Sequence, residues 1–116
     1  HYCTDDGSFG FKGYTTEKLK ELLEQDKTID MVYTVGPELM MKIVVEICDE
    51  FNIGCQISLE RYMKCGNGIC GCCCVDPDGL RMCVEGPCID KKVAKKVSEF
   101  GNYHRDGSGK KIYFKK

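Results

Sequence analysis

The sequence predicts an α/β fold. A partial parallel-sheet unit spans residues 1–60, and a small cysteine-rich module with a hairpin and a helix spans residues 61–116. Three observations carry this expectation. The apolar run Thr28–Val35 is followed at once by Gly36-Pro37 and then by apolar residues at helical spacing, which is a β–α unit. Six of the ten cysteines lie between Cys65 and Cys83, in the stretch CGNGICGCCCVDPDGLRMC. Within that stretch, Asp76-Pro77-Asp78-Gly79 is a turn signal that folds the chain back on itself.

The chain opens at His1 in what reads as the end of a strand near Thr4. The loop DDGSFGFKG follows, with Gly7, Gly10 and Gly13 giving the backbone freedom to wrap a ligand. Asp5 and Asp6 suit ribose hydroxyls, as acidic residues do in dinucleotide folds; a polar turn is the plainer alternative. Thr15–Gln25 reads as a helix with Leu19, Leu22 and Leu23 inward, capped by Thr15 or Thr16. Its charged residues form a solvated face. Thr28–Val35 reads as a buried strand. Pro37 suits the first helical position, and Met40, Ile43, Val44, Ile47, Cys48 and Phe51 continue as a stripe that Asn52 and Gly54 end.

Strand, Gly-Pro and helix place bare N–H groups at the carboxyl end of a parallel strand, where open α/β sheets bind ligands. Gly36 admits a flat ring close to the backbone. The plainer alternative is a well-made β–α turn, with Met40 and Met41 in the core. Cys55–Leu59 alternates as a short third strand, and Glu60–Lys64 ties it to the cysteine run. Beyond the hairpin, whose far strand is Leu80–Val84, Glu85-Gly86-Pro87 turns the chain. Asp90 caps a helix from Lys91 to about Phe100 with Val93, Val97 and Phe100 inward. Its lysines read as a solvated face. Lys111–Lys116 reads as an edge strand, and His104 sits in a polar tail as no ligand.

Composition narrows the class. At 116 residues, 42% hydrophobic and 30% charged, the chain suits one globular domain or a domain with an appendage. A net charge of −1 argues against non-specific nucleic-acid binding. No apolar run approaches the ~20 residues that span a bilayer, so no membrane partner is expected. There is no signal peptide and no initiator Met, which leads us to expect a fragment or a processed C-terminal piece. Ten cysteines would mean disulfides in a small secreted protein. Their clustering, beside an ordinary amphipathic core, favours a cytoplasmic metal-cluster protein. Cys3, Cys48, Cys55 and Cys88 lie outside the cluster window and read as small buried hydrophobes.

Cys65, Cys70, Cys73 and Cys83 give C-x4-C-x2-C-x9-C, whose first three positions fall on the plant-type [2Fe–2S] spacing. Four thiolates converge so sharply only if the loop visits φ > 0 and turns its amides toward the sulfurs, which Gly66, Gly68 and Gly71 permit. Cys72 and Cys74 flank Cys73 and remain alternatives to it. A structural zinc site is the other metal reading, although zinc knuckles use C-x2–4-C pairs. Disulfides are the third.

TDDGSFGFKG, YTVGPELMM and LERYMKCGNGICGCCCVDPDGLRMCVEGP together resemble, in order and separation, the C-terminal half of the electron-transfer subunit family of NAD-linked dihydroorotate dehydrogenases. The resemblance implies a ferredoxin-reductase-like architecture: an FAD barrel, a NAD-binding α/β domain and a terminal [2Fe–2S] module. It implies Cys65, Cys70, Cys73 and Cys83 as cluster ligands. It also implies that Gly36 and Pro37 place the nicotinamide, and that Thr4, Asp5 and Gly7 line the dinucleotide.

This sequence departs from the family pattern in two ways. Val35 stands where the nicotinamide loop usually has cysteine. The FAD barrel and the first strand of the NAD domain have no counterpart. FAD is therefore expected in the intact protein only, with a partial NAD site here. The implied partner is an FMN-containing catalytic dihydroorotate dehydrogenase subunit in a heterotetramer, serving pyrimidine biosynthesis, with electrons relayed through the cluster between that subunit and FAD/NAD. Related NAD(P)H–ferredoxin oxidoreductases and sulfhydrogenases share the motifs and remain alternatives. A zinc-stabilised docking module is the non-catalytic alternative.

Overall fold

The computed structural model describes residues 1–115. Two short parallel strands open the chain, β1 (Cys3–Thr4) and β2 (Phe11–Lys12), paired Cys3 to Phe11. Helix α1 follows over Thr15–Gln25 with Leu23 buried. Its cap differs from expectation. Tyr14 takes the N-cap position, and the Glu17 carboxylate accepts the Tyr14 N–H at 3.2 Å, while Thr16 is a buried residue of the first turn.

The central sheet has the order β3-β4-β7. Strand β3 (Met31–Thr34) runs parallel to β4 (Gly54–Ser58), joined by helix α2 (Glu38–Glu50). Two readings are corrected here. β3 is not a buried strand: it lies at the sheet edge, with Tyr33 and Val35 each 73% exposed. Pro37 is the N-cap of α2 rather than its first residue, with its carbonyl accepting the Met41 N–H at 3.0 Å. The inward stripe of α2 is Met41, Val44, Val45, Ile47 and Cys48, and Ile43 faces out. Its end conforms to expectation. Asn52 takes a positive φ of 55°, and the Ile53 N–H reaches back to the Cys48 carbonyl at 2.8 Å.

The DPDG turn makes the expected hairpin of β5 (Cys74–Val75) and β6 (Leu80–Arg81), shorter than Leu80–Val84 because the chain turns again after Arg81. The chain then returns to the central sheet as β7 (Cys88–Asp90), antiparallel to β4, an element with no forecast. Asp90 caps helix α3 as expected, accepting the Val93 N–H at 2.9 Å. The helix is only Lys91–Lys96, because the Ser98 N–H leaves the helical ladder for the Asp76 carbonyl.

Its lysines are not simply solvated. Lys91 and Lys95 both pair with Asp49, and Lys91 also donates to the Ile53 carbonyl at 2.7 Å. Strands β8 (Tyr103–Arg105) and β9 (Lys111–Tyr113) form a final antiparallel pair; Lys116, the end of the expected edge strand, lies outside the described residues.

One core unites these elements. Met41, Ile57, Leu59, Val75 and Met82 are at most 1% exposed and belong to one cluster that runs from α2 across the sheet to the hairpin. Burying each such side chain stabilises the fold by about 1.5–3 kcal/mol. Of the four cysteines outside the metal run, Cys48 and Cys55 join this core as expected, whereas Cys3 is half-buried and Cys88 is exposed. Among the described residues no helix is long and apolar enough to cross a membrane.

Candidate metal centre

The cysteine loop begins where β4 ends. Cys55, Ile57 and Leu59 alternate inward, and Arg61 continues that register before the chain enters the loop. Positive φ values at Gly66 (70°), Gly68 (83°) and Gly71 (71°) curl the backbone so that amides face sulfur. The Cys65 sulfur accepts N–H groups from Asn67 at 3.5 Å, Ile69 at 3.3 Å and Cys70 at 3.3 Å. Those amides, that of Cys70 foremost, bring the Cys65 thiol down to about 6.

The sulfurs fall into two groups. Cys65 and Cys72 both lie beside Cys70, and Cys73 lies beside Cys83. The Cys83 N–H also donates to the Cys73 sulfur at 3.4 Å. Cys73 is 3% exposed, while Cys65 and Cys70 are exposed and Cys83 is half-buried. The two flanking cysteines differ from Cys73. Cys72 is exposed and leans on Cys70, which pushes its thiol up. Cys74 opens β5, half-buried, and burial pushes its thiol up.

Arg81 fixes the far side, donating to the Gly68 carbonyl at 3.3 Å and bonding Glu85 at 2.7 Å. Among the described residues no three cysteine, histidine or acidic side chains converge on a single point. None of the ten cysteines is in a disulfide. Two groups of thiols with amides aimed at sulfur fit a binuclear cluster, in which each iron takes two protein ligands.

The expected dinucleotide residues come together only in part. Asp5 and Pro37 line one cleft of about 580 Å³ with Tyr14, Leu39 and Met40. Gly36 and Pro37 line a second, of about 630 Å³, with Arg61, Tyr62 and His104. Gly36 holds φ +150°, and a Cβ there would meet the Met40 methyl at 2.9 Å. Thr4 spends its hydroxyl on the Phe9 carbonyl at 2.9 Å, and Gly7 sits at φ +77° against Lys12, so both shape the loop rather than the clefts.

Arg61 escaped the sequence reading. Its Nη1 and Nη2 fork onto Glu38 at 2.8 and 2.9 Å, and its Nε donates to Glu99 at 2.7 Å, all with side chains at most 8% exposed. Burial alone would lower its pKa, but Glu38 and Glu99 more than offset that and hold it above its usual value. The available signal was periodicity: Arg61 occupies the next inward position after Leu59, and a cation there requires buried anions.

Residues 60–93 match the model of the iron-sulfur cluster binding domain of dihydroorotate dehydrogenase B. The chain is 62% identical over 97% of its length to the probable dihydroorotate dehydrogenase B (NAD(+)) electron transfer subunit of Methanocaldococcus jannaschii. It is 50% identical over 95% of its length to the corresponding protein of Methanothermobacter thermautotrophicus. The likeness to these electron transfer subunits runs over nearly the whole of this chain. The chain spans 43% and 40% of the length of those two relatives. The matched segment, residues 60–93, contains all six cysteines from Cys65 to Cys83. Among solved structures, that of an NADH-dependent reduced ferredoxin–NADP oxidoreductase, studied for flavin-based electron bifurcation, superposes with a TM-score of 0.69 at 33% identity. The match covers 83% of this chain and 34% of that one.

Proposed function

We propose that this chain is the cluster-carrying part of an electron-transfer subunit that links dihydroorotate oxidation, in pyrimidine biosynthesis, to NAD. The observation that carries the reading is the set of backbone N–H groups aimed at the Cys65, Cys70 and Cys73 sulfurs, the last of them donated by Cys83. These four thiols are the proposed ligands. When bound, a [2Fe–2S] cluster takes up and releases single electrons. The protein's part is to hold four thiolates, supply amide dipoles that stabilise the added negative charge, and keep the Cys73 side dry.

Residues 61–116 form the cluster module with its helix and tail. Residues 1–60 are the C-terminal part of a ferredoxin-reductase-like NAD-binding domain, sharing its sheet with the cluster module through β4 and β7. In this reading Gly36 and Pro37 receive the nicotinamide, Asp5 faces the dinucleotide, and Thr4 and Gly7 hold the loop. FAD belongs to the intact protein. An FMN-containing catalytic dihydroorotate dehydrogenase subunit is the partner, in a cytoplasmic heterotetramer. No residue here serves as general acid or base.

The test is a visible and EPR spectrum of anaerobically purified protein, with iron, sulfide and zinc assayed on the same sample. Two irons and two sulfides per chain with a rhombic S = 1/2 signal on reduction support the reading. Stoichiometric zinc without a chromophore sinks it. The likeness to the ferredoxin–NADP oxidoreductase favours one second reading, a subunit of that kind of enzyme. Identification of the co-purifying catalytic subunit separates the two.

A further inference from the structure

Resting on the functional reading above, we propose that Arg61 is a positioning residue that fixes the Gly36-Pro37 turn relative to the cysteine loop, with Glu38 and Glu99 as its two anchors. The guanidinium has five N–H donors, and the structure uses all of them. Nε donates to Glu99 at 2.7 Å. Nη1 donates to Glu38 and to the Glu60 carbonyl, each at 2.8 Å. Nη2 donates to Glu38 at 2.9 Å and to the Tyr103 carbonyl at 3.5 Å.

The two carboxylates carry the hold outward in opposite directions. Glu38 is the first residue of α2, directly after Gly36-Pro37, and its second role is to accept the Gly101 N–H at 3.0 Å. Glu99 accepts the Asp76 N–H at 2.9 Å, at the turn of the hairpin that carries Cys74 and leads to Cys83. Arg61 itself stands four residues before Cys65. One buried cation therefore bonds the start of the nicotinamide-loop helix, the entry of the cysteine loop and, through Glu99, the tip of its hairpin.

Stability does not account well for such an arrangement, because a buried ion pair rarely stabilises more than apolar residues of similar volume. Its forked geometry does fix distance and angle, and lysine cannot reproduce it. In the intact protein, hydride transfer between its flavin and a dinucleotide seated on that turn needs such fixed geometry, since misplacement by about 1 Å can cost about 10²-fold in rate.

The test compares Arg61→Lys and Glu38→Gln with the wild type in the intact protein with its co-purified subunits. Hydrogen exchange is followed at the Met41 and Asp76 amides, with the β4 amides as control, and affinity is measured for a redox-inert tetrahydronicotinamide dinucleotide. Both variants are expected to raise exchange at Met41 and Asp76 together, by about tenfold or more, with β4 unchanged. They are expected to weaken analogue binding severalfold while keeping iron and sulfide.

Exchange that rises at one end only, or analogue affinity that stays at the wild-type value in a variant with normal iron, overturns the proposal. A general rise that includes β4 assigns Arg61 a merely structural role and also overturns it. If Arg61→Lys does not fold, Glu38→Gln, which keeps one acceptor oxygen and the side-chain shape, decides alone. A wild-type protein that binds neither iron nor analogue sinks the functional reading, while the exchange results still decide the mechanical link.

Discussion

Cys73 and Cys83 face each other across the base of the hairpin, and the Cys83 N–H donates to the Cys73 sulfur at 3.4 Å. Cys73 is the buried member of the cysteine run, although Cys72 and Cys74 adjoin it in sequence. Neighbours in a tight loop point in different directions, so adjacency in sequence does not give interchangeable ligands.

Cys73→Ser is accordingly expected to abolish iron and sulfide binding. Cys72→Ser and Cys74→Ser are expected to retain two of each per chain. Metal and sulfide assays on anaerobically prepared variants check this. Full retention in Cys73→Ser would move the ligand to a neighbour.

Gly66 and Gly68 both sit at positive φ, so alanine costs about 1–2 kcal/mol of backbone strain at either. They differ in surroundings. A Cβ at Gly66 meets nothing within 4 Å, whereas one at Gly68 comes within 2.8 Å of a Val84 methyl and 2.9 Å of Arg81 Nη1. Gly68→Ala is therefore expected to lose iron to a chelator markedly faster than Gly66→Ala, as followed by bleaching of visible absorption.

Three amides on the Cys65 sulfur stabilise its thiolate, so in metal-free protein its alkylation should rise with pH through about 6 and be near its plateau at neutrality. Burial pushes Cys48 up to about 12, so that thiol should stay unmodified while the fold is intact. Peptide mass spectrometry after iodoacetamide pulses across pH separates the two. Cys65 labelling that begins only above pH 8 would show that the amides do not face the sulfur in solution.

Asp76 accepts from the Tyr103 hydroxyl at 2.6 Å and from Arg105 at 3.0 Å, and these two, the hydroxyl first, hold its carboxyl below its usual value. A depressed folded-state pKa gives stability that is fully present above the unfolded value of about 4 and is lost as pH falls through the folded value. Denaturation midpoints of the wild type should thus fall on acidification in that window. Asp76→Asn should start lower at neutral pH and show a flatter acid limb. Parallel curves would remove Asp76 from the linkage.

Local signals were legible in the sequence, and long-range ones were not. Helix α1 has the bounds that Leu19, Leu22 and Leu23 mark, the hairpin turns at Asp76–Gly79, and Asp90 caps α3, because each depends on residues within a few positions of one another. Strand β7 is three residues long and pairs with β4 across the whole cysteine loop, so it has no period to read. The partners of Arg61 lie 23 and 38 residues away, and only the alternation Cys55, Ile57, Leu59, Arg61 hinted that it pointed inward. β3 reads as buried because its residues are apolar, yet an edge position leaves Tyr33 exposed.

Ser58 and Cys88 lie opposite each other in the β4–β7 ladder, so the whole cysteine run is one loop whose ends already meet. Chain entropy makes such a closed excursion inexpensive to leave slack, since each doubling of loop length costs only about 0.6 kcal/mol. The sheet can therefore form first and receive its iron afterward. A chain that has lost its metal should persist as a folded scaffold in which Val75 and Met82 keep the hairpin on the core, while the exposed turn from Cys65 to Cys72 is loose, protease-sensitive and ready to be reloaded without refolding from the beginning.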